Sequence, residues 1–182
     1  MSWQFDPAHS SVTISAKHMM VTTVRGKLDI KQLDVAFDPE NPQGSSVTAV
    51  LDASSIETGQ TQRDTHLRSP DFLDTETFPE ITFRSTRIEP AGSAWKLYGD
   101  LTIRDVTHPV TLDAEISGVV ADMRGGRRAA FDARTRIARE IWGLTWNVAL
   151  ESGGWLVGKE LGVEIDLALV EPAAEQSAQI AA

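Results

Sequence analysis

The sequence predicts an all-β domain, an eight-stranded antiparallel barrel with one short helical segment near residues 60–75. Three observations indicate this fold class. Apolar and polar residues alternate with a period of two in eight segments, which is typical of half-buried strands. Clusters rich in Gly, Pro, Asn and Asp separate these segments, and most of the connections are short enough to join antiparallel neighbours. One stretch, around Arg63, has helical spacing and capping residues instead.

The alternation places the eight strands in chain order. In the second strand the pattern shifts by one residue at Lys31 and Gln32, which predicts a β-bulge. Eight antiparallel strands with one apolar face can close into a barrel whose interior is filled by side chains or holds one small ligand. The predicted strands cover residues 12–17, 28–37, 47–53, 81–85, 95–103, 110–116, 129–137 and 161–169.

Small side chains at inward positions favour a hollow barrel over a filled one. Strands of about ten residues tilted by roughly 40° would enclose a lumen about 25 Å tall, which suits an elongated apolar guest. A two-sheet sandwich with a dry core has the same periodicity, and Trp and Phe side chains could fill the space, so this alternative stays open. The small inward candidates are Ala16, Ala49, Ala53, Gly99, Ala114, Ala129 and Ala133.

The helical candidate spans residues 62–68. Arg63 and His66 are three residues apart, and Asp64 and Arg68 four, so both pairs would project from one short segment. Ser69 is then suited to N-cap a second short turn. At a barrel mouth, Arg63 and His66 could hydrogen-bond a polar head group. Alternatively, Asp64 pairs with Arg68 on a solvated face and the other side chains fix the helix to the rim.

Few residue patterns point to catalysis or to a metal. The four histidines, at positions 9, 18, 66 and 108, lack metal-site spacing, so no metal is expected. There is no cysteine, no Gly-x-Ser-x-Gly elbow and no glycine-rich phosphate loop, so we predict no catalytic residues and no cofactor. His18 shares the inward parity of Val12 and Ile14, so it could contact a ligand or bond a backbone group.

Composition limits the partners. The 182 residues suit one domain, with residues 1–171 as the barrel and 172–182, which lack apolar periodicity, as a disordered tail. The net charge of −9, from 17 basic and 26 acidic residues, disfavours nucleic acid and anionic membranes. No apolar run approaches the roughly 20 residues of a membrane span, so membrane contact would be peripheral. The amino terminus lacks signal-peptide features, so we expect a cytoplasmic location; a homodimer is compatible with the sequence.

Four segments together resemble the YceI-like family, a group of small lipocalin-like barrels associated with binding polyisoprenoid lipids. They are residues 6–11 with 17–19, residues 63–74 with 78–83, residues 99–110, and residues 137–144. The resemblance covers roughly residues 3–170 in the expected order. Many members of the family carry a signal peptide, and phenylalanine usually stands at the position of Trp142, so the chain departs from the pattern in both respects.

The resemblance implies a binding protein that sequesters or carries a long apolar lipid, such as a polyisoprenoid or an isoprenoid quinone, in its lumen. An enzyme acting on an isoprenoid-like substrate, with His66 or His18 as general base, is the alternative, and a protein-interaction domain with a dry lumen is a third. Trp142 and Trp146 could pack the end of the barrel or line the lipid path. The predicted polar rim is His18, Arg63, Asp64 and His66. The predicted lumen residues are Val12, Ile14, Leu51, Phe83, Leu101, Phe131, Ile137, Trp142, Val163 and Ile165.

Overall fold

A computed structural model describes residues 2–123 and 125–173. Within these residues the chain forms nine strands, one α-helix and three short 3-10 helices, so the predicted all-β class is confirmed. The helix is α1 (Thr61–Arg68), and the 3-10 helices are Pro7–His9, Pro42–Gly44 and Arg139–Trp142. The strands are β1 (Gln4–Phe5), β2 (Ser11–His18), β3 (Thr22–Ala36), β4 (Ser46–Glu57), β5 (Glu80–Ala91), β6 (Ala94–Ile103), β7 (Val106–Ala121), β8 (Arg127–Ala138) and β9 (Val157–Glu171).

Strands β2 to β9 form a closed antiparallel ring of eight. Each pairs with the next in chain order, and β9 pairs with β2, for example at Ile14 opposite Val163. The predicted barrel is therefore confirmed. Strand β1 is additional to the prediction: it pairs with the end of β9, with Gln4 opposite Val170. At two residues it is too short for alternation to reveal it. The predicted disordered tail begins at residue 172, and from residue 174 onwards it lies outside the described residues.

Irregular pairing bends the strands as they close. The bulge predicted at Lys31 and Gln32 is present, because the register between β3 and β4 shifts between Ile30 and Gln32. A further shift occurs in β2 between Ala16 and His18. Bulges increase local twist and curvature, which helps a sheet to meet its own edge. Most strands are longer than predicted, since polar residues continue the ladders beyond the apolar positions.

The helix defines one end of the ring, which we call the upper end. The β2–β3 turn, the segment from β4 to β5 with α1, and residues 139–156 all lie there, because they connect strands at the same end. Helix α1 starts one residue before the predicted boundary. After it, Ser69 Oγ accepts a hydrogen bond of 3.4 Å from Asp71 N, as expected for the cap of a short turn.

The β2–β3 turn is strained. Met19 and Met20 have φ angles of 50° and 67°, as the two central residues of a type I′ turn do. Val21 N donates to His18 O at 3.2 Å and closes the turn. Asn and Gly are the residues that suit such a turn, and positive φ costs other side chains about 1–2 kcal/mol each. The turn is held to residue 156 by a bond from Met19 N to Leu156 O at 2.8 Å.

Candidate functional site

A cavity of about 450 Å³ runs along the axis of the ring. All eight ring strands contribute lining side chains, nearly all of them apolar, from Trp146 at the upper end to Pro42 at the lower end. Many lining residues, such as Ile14 and Leu101, are only partly buried, since part of their surface faces the lumen. The volume lies within the roughly 300–1,000 Å³ typical of small-molecule sites. The barrel is therefore hollow and not a dry sandwich.

Small residues keep the lumen open, as their inward positions suggested. Ala16, Ala49, Ala114 and Ala133 line it, whereas Ala53 and Ala129 are buried in the hydrophobic core and do not reach the lumen. Gly99 acts differently: a Cβ atom there would lie 2.4 Å from Cζ of Phe83. The absence of a side chain at Gly99 thus lets the Phe83 ring lie against the wall. A larger residue would clash with that ring and also with the backbone carbonyl oxygen of Arg84, 2.5 Å from the added Cβ.

Nine of the ten predicted lumen residues line the cavity, and Trp142 does not. Trp142 is 1% exposed, its Nε1 donates to Leu101 O at 3.1 Å, and its ring meets that of His108 edge to face at 5.3 Å. Its predicted place in the lumen needs correction, because the 3-10 helix after β8 ends the strand parity and turns the indole into the core. The lining residues are Val12, Ile14, Leu51, Phe83, Leu101, Phe131, Ile137, Val163 and Ile165, and their contact with a ligand stays a prediction.

Three rings meet at the upper end of the lumen. His66 and Trp146 lie 4.5 Å apart between centroids and nearly perpendicular, and Phe72 lies 5.1 Å from His66 and 5.4 Å from Trp146. All three residues line the cavity. The imidazole is fixed by its Nε2, 2.8 Å from Oδ2 of Asp71. The sequence did not single out Phe72, because a lone aromatic in a turn carries no periodic signal.

Arg63 faces the cavity and Asp64 does not. Arg63 donates from Nε to Thr58 Oγ1 at 2.7 Å and from Nη2 to Thr58 O at 2.9 Å. Asp64 is buried, and its carboxylate accepts bonds from the backbone N and the hydroxyl of Thr58. The prediction of a rim position for Asp64 is thus corrected. Nor does Asp64 pair with Arg68, which donates to the β4 carbonyls of Ser54 and Ile56 and so fixes the helix to the barrel.

Arg139 is a buried cation beside the lumen. It is 1% exposed, yet it lines the cavity. Its Nε donates to Gly158 O at 2.8 Å, its Nη2 to Trp146 O at 3.1 Å, and its Nη1 to Leu144 O. Burial lowers the pKa of Arg139. Sequence reasoning did not select this residue, although it shares the inward parity of Ile137, and that position was the available signal.

The upper end of the lumen is basic in a protein of net charge −9. Among the described residues, the ionisable side chains that line this end are Lys17, His18, Arg63, His66 and Arg139, and the acidic lining residue Glu115 belongs to the lower part of β7. Local positive charge above an apolar tunnel suits a ligand with an electron-rich polar head and an apolar tail.

The described part of the chain holds neither a candidate metal site nor a membrane-spanning helix. It contains no group of three or more His, Asp or Glu side chains placed to hold a metal ion. None of its helices has the length and apolar character needed to cross a membrane.

Comparison with known proteins identifies relatives over almost the whole chain. Residues 3–169 match the family model of the YceI-like domain. A UPF0312 protein from Staphylococcus aureus strain USA300 is 38% identical over 166 residues, which cover 90% of this chain and 94% of that protein.

Solved structures share the fold. BcnA of Burkholderia cenocepacia superposes with a TM-score of 0.77 at 24% identity, covering 91% of this chain and 99% of BcnA. The Campylobacter jejuni YceI protein has a TM-score of 0.70 at 25% identity and covers 85% of this chain and 89% of that one. A polyisoprenoid binding domain from Saccharophagus degradans has a TM-score of 0.66 at 13% identity, with coverages of 94% and 99%.

Proposed function

Because this chain belongs to the YceI-like domain family, we propose that it binds and carries one long apolar lipid, a polyisoprenoid or an isoprenoid quinone, in its barrel. The observation that carries the proposal is the apolar cavity of about 450 Å³ along the axis. Burying an apolar tail stabilises a complex by about 25 cal/mol per Å². The naming of the Saccharophagus degradans neighbour as a polyisoprenoid binding domain supports this ligand class.

The lipid head belongs at the upper end in this proposal. The buried guanidinium of Arg139, the half-buried guanidinium of Arg63 and the imidazole of His18 all border the lumen there. Hydrogen bonds from charged donors to carbonyl or phosphate oxygens are stronger than neutral ones. The tail then extends past Leu101 towards Phe131 and the lower end.

The experiment is native mass spectrometry of protein purified without detergent. We expect a mass increment of one lipid per chain, and extraction should identify the lipid. Protein that stays empty after incubation with polyprenols and quinones of several lengths would contradict the proposal. The enzyme alternative is tested on the same sample: recovery of unchanged lipid after prolonged incubation supports binding, whereas conversion to a new product supports catalysis.

Tryptophan fluorescence should report the orientation of a bound quinone. Trp146 lines the upper lumen and Trp95 the lower, so each is near one end of a ligand. We expect saturable quenching at one quinone per chain that is largely lost in Trp146→Phe and kept in Trp95→Phe. The reverse result would place the quinone ring at the lower end. Trp142→Phe is a further control, since this indole lies outside the lumen.

Arg63→Ala should weaken the binding of lipids with an anionic head more than the binding of neutral lipids. A charge-assisted hydrogen bond contributes about 1.5–3 kcal/mol, so we expect roughly a tenfold or larger loss for a polyprenyl pyrophosphate. The affinity for the polyprenol with the same tail should fall much less, because burial of the tail is unchanged. Arg68→Ala is the matched control, since this arginine of the same helix bonds β4 carbonyls and does not line the cavity. Equal losses for both ligands would make Arg63 a structural residue.

A further inference from the structure

Exposed apolar side chains gather on the upper rim of the barrel. We call five of them the rim patch, and each is between 43% and 77% exposed. Two belong to a hairpin at residues 147–156, in which Ala149 bridges to Trp155, and three to the β2–β3 turn. Contiguous exposed apolar surface on a soluble domain commonly marks a site of interaction. The members are Met19, Met20, Val21, Val148 and Trp155.

The rim patch is one surface because its two turns are joined. Met19 N bonds Leu156 O at 2.8 Å, and Leu156 N bonds Val148 O at 2.9 Å. The thioether of Met20 lies over Gly154, where a Cβ atom would come within 3.1 Å of its sulfur. Leu156 also lines the lumen, so apolar surface continues from the patch into the cavity.

The strain in the β2–β3 turn indicates that the two methionines are there for their side chains. Positive φ at both central positions favours Asn and Gly, and neither is present. Both side chains lie largely in solvent, Met19 at 50% and Met20 at 62% exposed, so neither belongs to the core of the barrel. Strained backbone that displays an unusual surface is typical of functional sites.

We propose that the rim patch docks the protein on the zwitterionic surface of a lipid bilayer, so that the lipid passes between membrane and lumen at the upper end. Met and Val would enter the apolar layer, while the ammonium of Lys159, 5.6 Å from the Trp155 ring centre, stays with the head groups. Glu151 at the hairpin tip and the net charge of −9 disfavour an anionic surface. The lipid route rests on the proposed function, whereas the docking surface does not.

A second copy of the chain is the competing occupant. Stable protein interfaces use about 20–30 residues from each partner, whereas the two turns that carry the rim patch, residues 19–21 and 147–156, together comprise fewer. Trp beside Lys is a pairing suited to a membrane interface, where an amphipathic ring and a flexible cation share the head-group level. The bilayer is therefore the occupant that fits.

The test uses the double variant Met19→Asn, Met20→Gly, which removes two apolar side chains and supplies the residues the turn prefers. We expect its partition to phosphatidylcholine vesicles in sedimentation assays to fall roughly tenfold or more. Its melting temperature should stay equal or rise, and lumen affinity measured without vesicles should be unchanged. A matched control, Val120→Ser with Met123→Ser, removes exposed apolar side chains at the opposite end and should partition as the parent does.

Each other outcome overturns the docking proposal. The first is equal partition of the double variant and the parent to vesicles, and the second is an equal fall in partition for the control. The third is a parent protein that is a dimer in sedimentation velocity and a double variant that is a monomer. Failure of lumen binding is a separate result, because the vesicle-free titration measures it directly. Normal vesicle binding with an empty lumen would thus reject the proposed function and keep the docking surface.

Discussion

Val110→Asp should weaken lipid binding strongly while leaving the barrel folded. Val110 lines the lumen on β7, opposite Gly99, and Asp is close to Val in size, so the change adds a carboxylate with little change in volume. A polar group without partners in apolar surroundings costs about 2 kcal/mol or more, and an ionised one costs more. The Kd for a polyprenol should therefore rise at least roughly 30-fold.

The control is the neighbouring residue on the same strand. Thr111 is exposed, so Thr111→Asp places the same carboxylate in solvent, and lipid binding should be unchanged. Native mass spectrometry gives the lipid stoichiometry, and far-ultraviolet circular dichroism checks that both variants keep their strands. Lipid binding by folded Val110→Asp with parental affinity would show that the ligand lies elsewhere than in the lumen.

The ring of eight strands could be predicted because its information is local. Alternation along β2 to β9 gave each strand, and the phase shift at Lys31 and Gln32 gave the bulge. Strand β1 carries no such signal at two residues, and its place depends on pairing with β9, far away in the chain. The inward parity that defined the strands also placed Phe83, Leu101 and other lumen residues, since a closed ring turns one face of every strand to the axis.

The upper end was predicted less well because its contacts depend on loop geometry. Helical spacing put Asp64 beside Arg68, but the loop after β4 brings Thr58 to Asp64, and β4 itself receives Arg68. Strand parity fails for Trp142, the last residue of the 3-10 helix after β8, yet it still holds at Arg139, the first residue of that helix. Arg139 could not be predicted because it lies beyond residue 137, where the apolar alternation of this strand ends, and a buried charge bonded to carbonyls has no sequence motif.

Arg139→Met should destabilise the barrel more than any surface substitution discussed above. Methionine keeps the apolar stem, but three carbonyls, of Leu144, Trp146 and Gly158, lose their donor. A buried group left without its partner costs about 1–3 kcal/mol. Methionine also avoids the cost of burying a charged guanidinium, which offsets part of the loss from the three carbonyls. We therefore expect the free energy of unfolding to fall by about 3 kcal/mol. For a domain of this size that lowers the melting temperature by roughly 6–12 °C.

Arg136→Met is the matched control for this prediction. Arg136 lies on β8, three residues before Arg139; its side chain is 78% exposed and pairs with Glu160 at 3.0 Å. Exposed ion pairs contribute about 0–1 kcal/mol, so its melting temperature should change by a few degrees at most. Because Arg139 also bonds the carbonyl of Trp146, its loss should loosen that indole and blunt quinone quenching even where the protein stays folded. Equal melting temperatures for the two variants would mean that solvent or neighbouring donors replace the guanidinium, and that the upper end of the lumen does not depend on a buried charge.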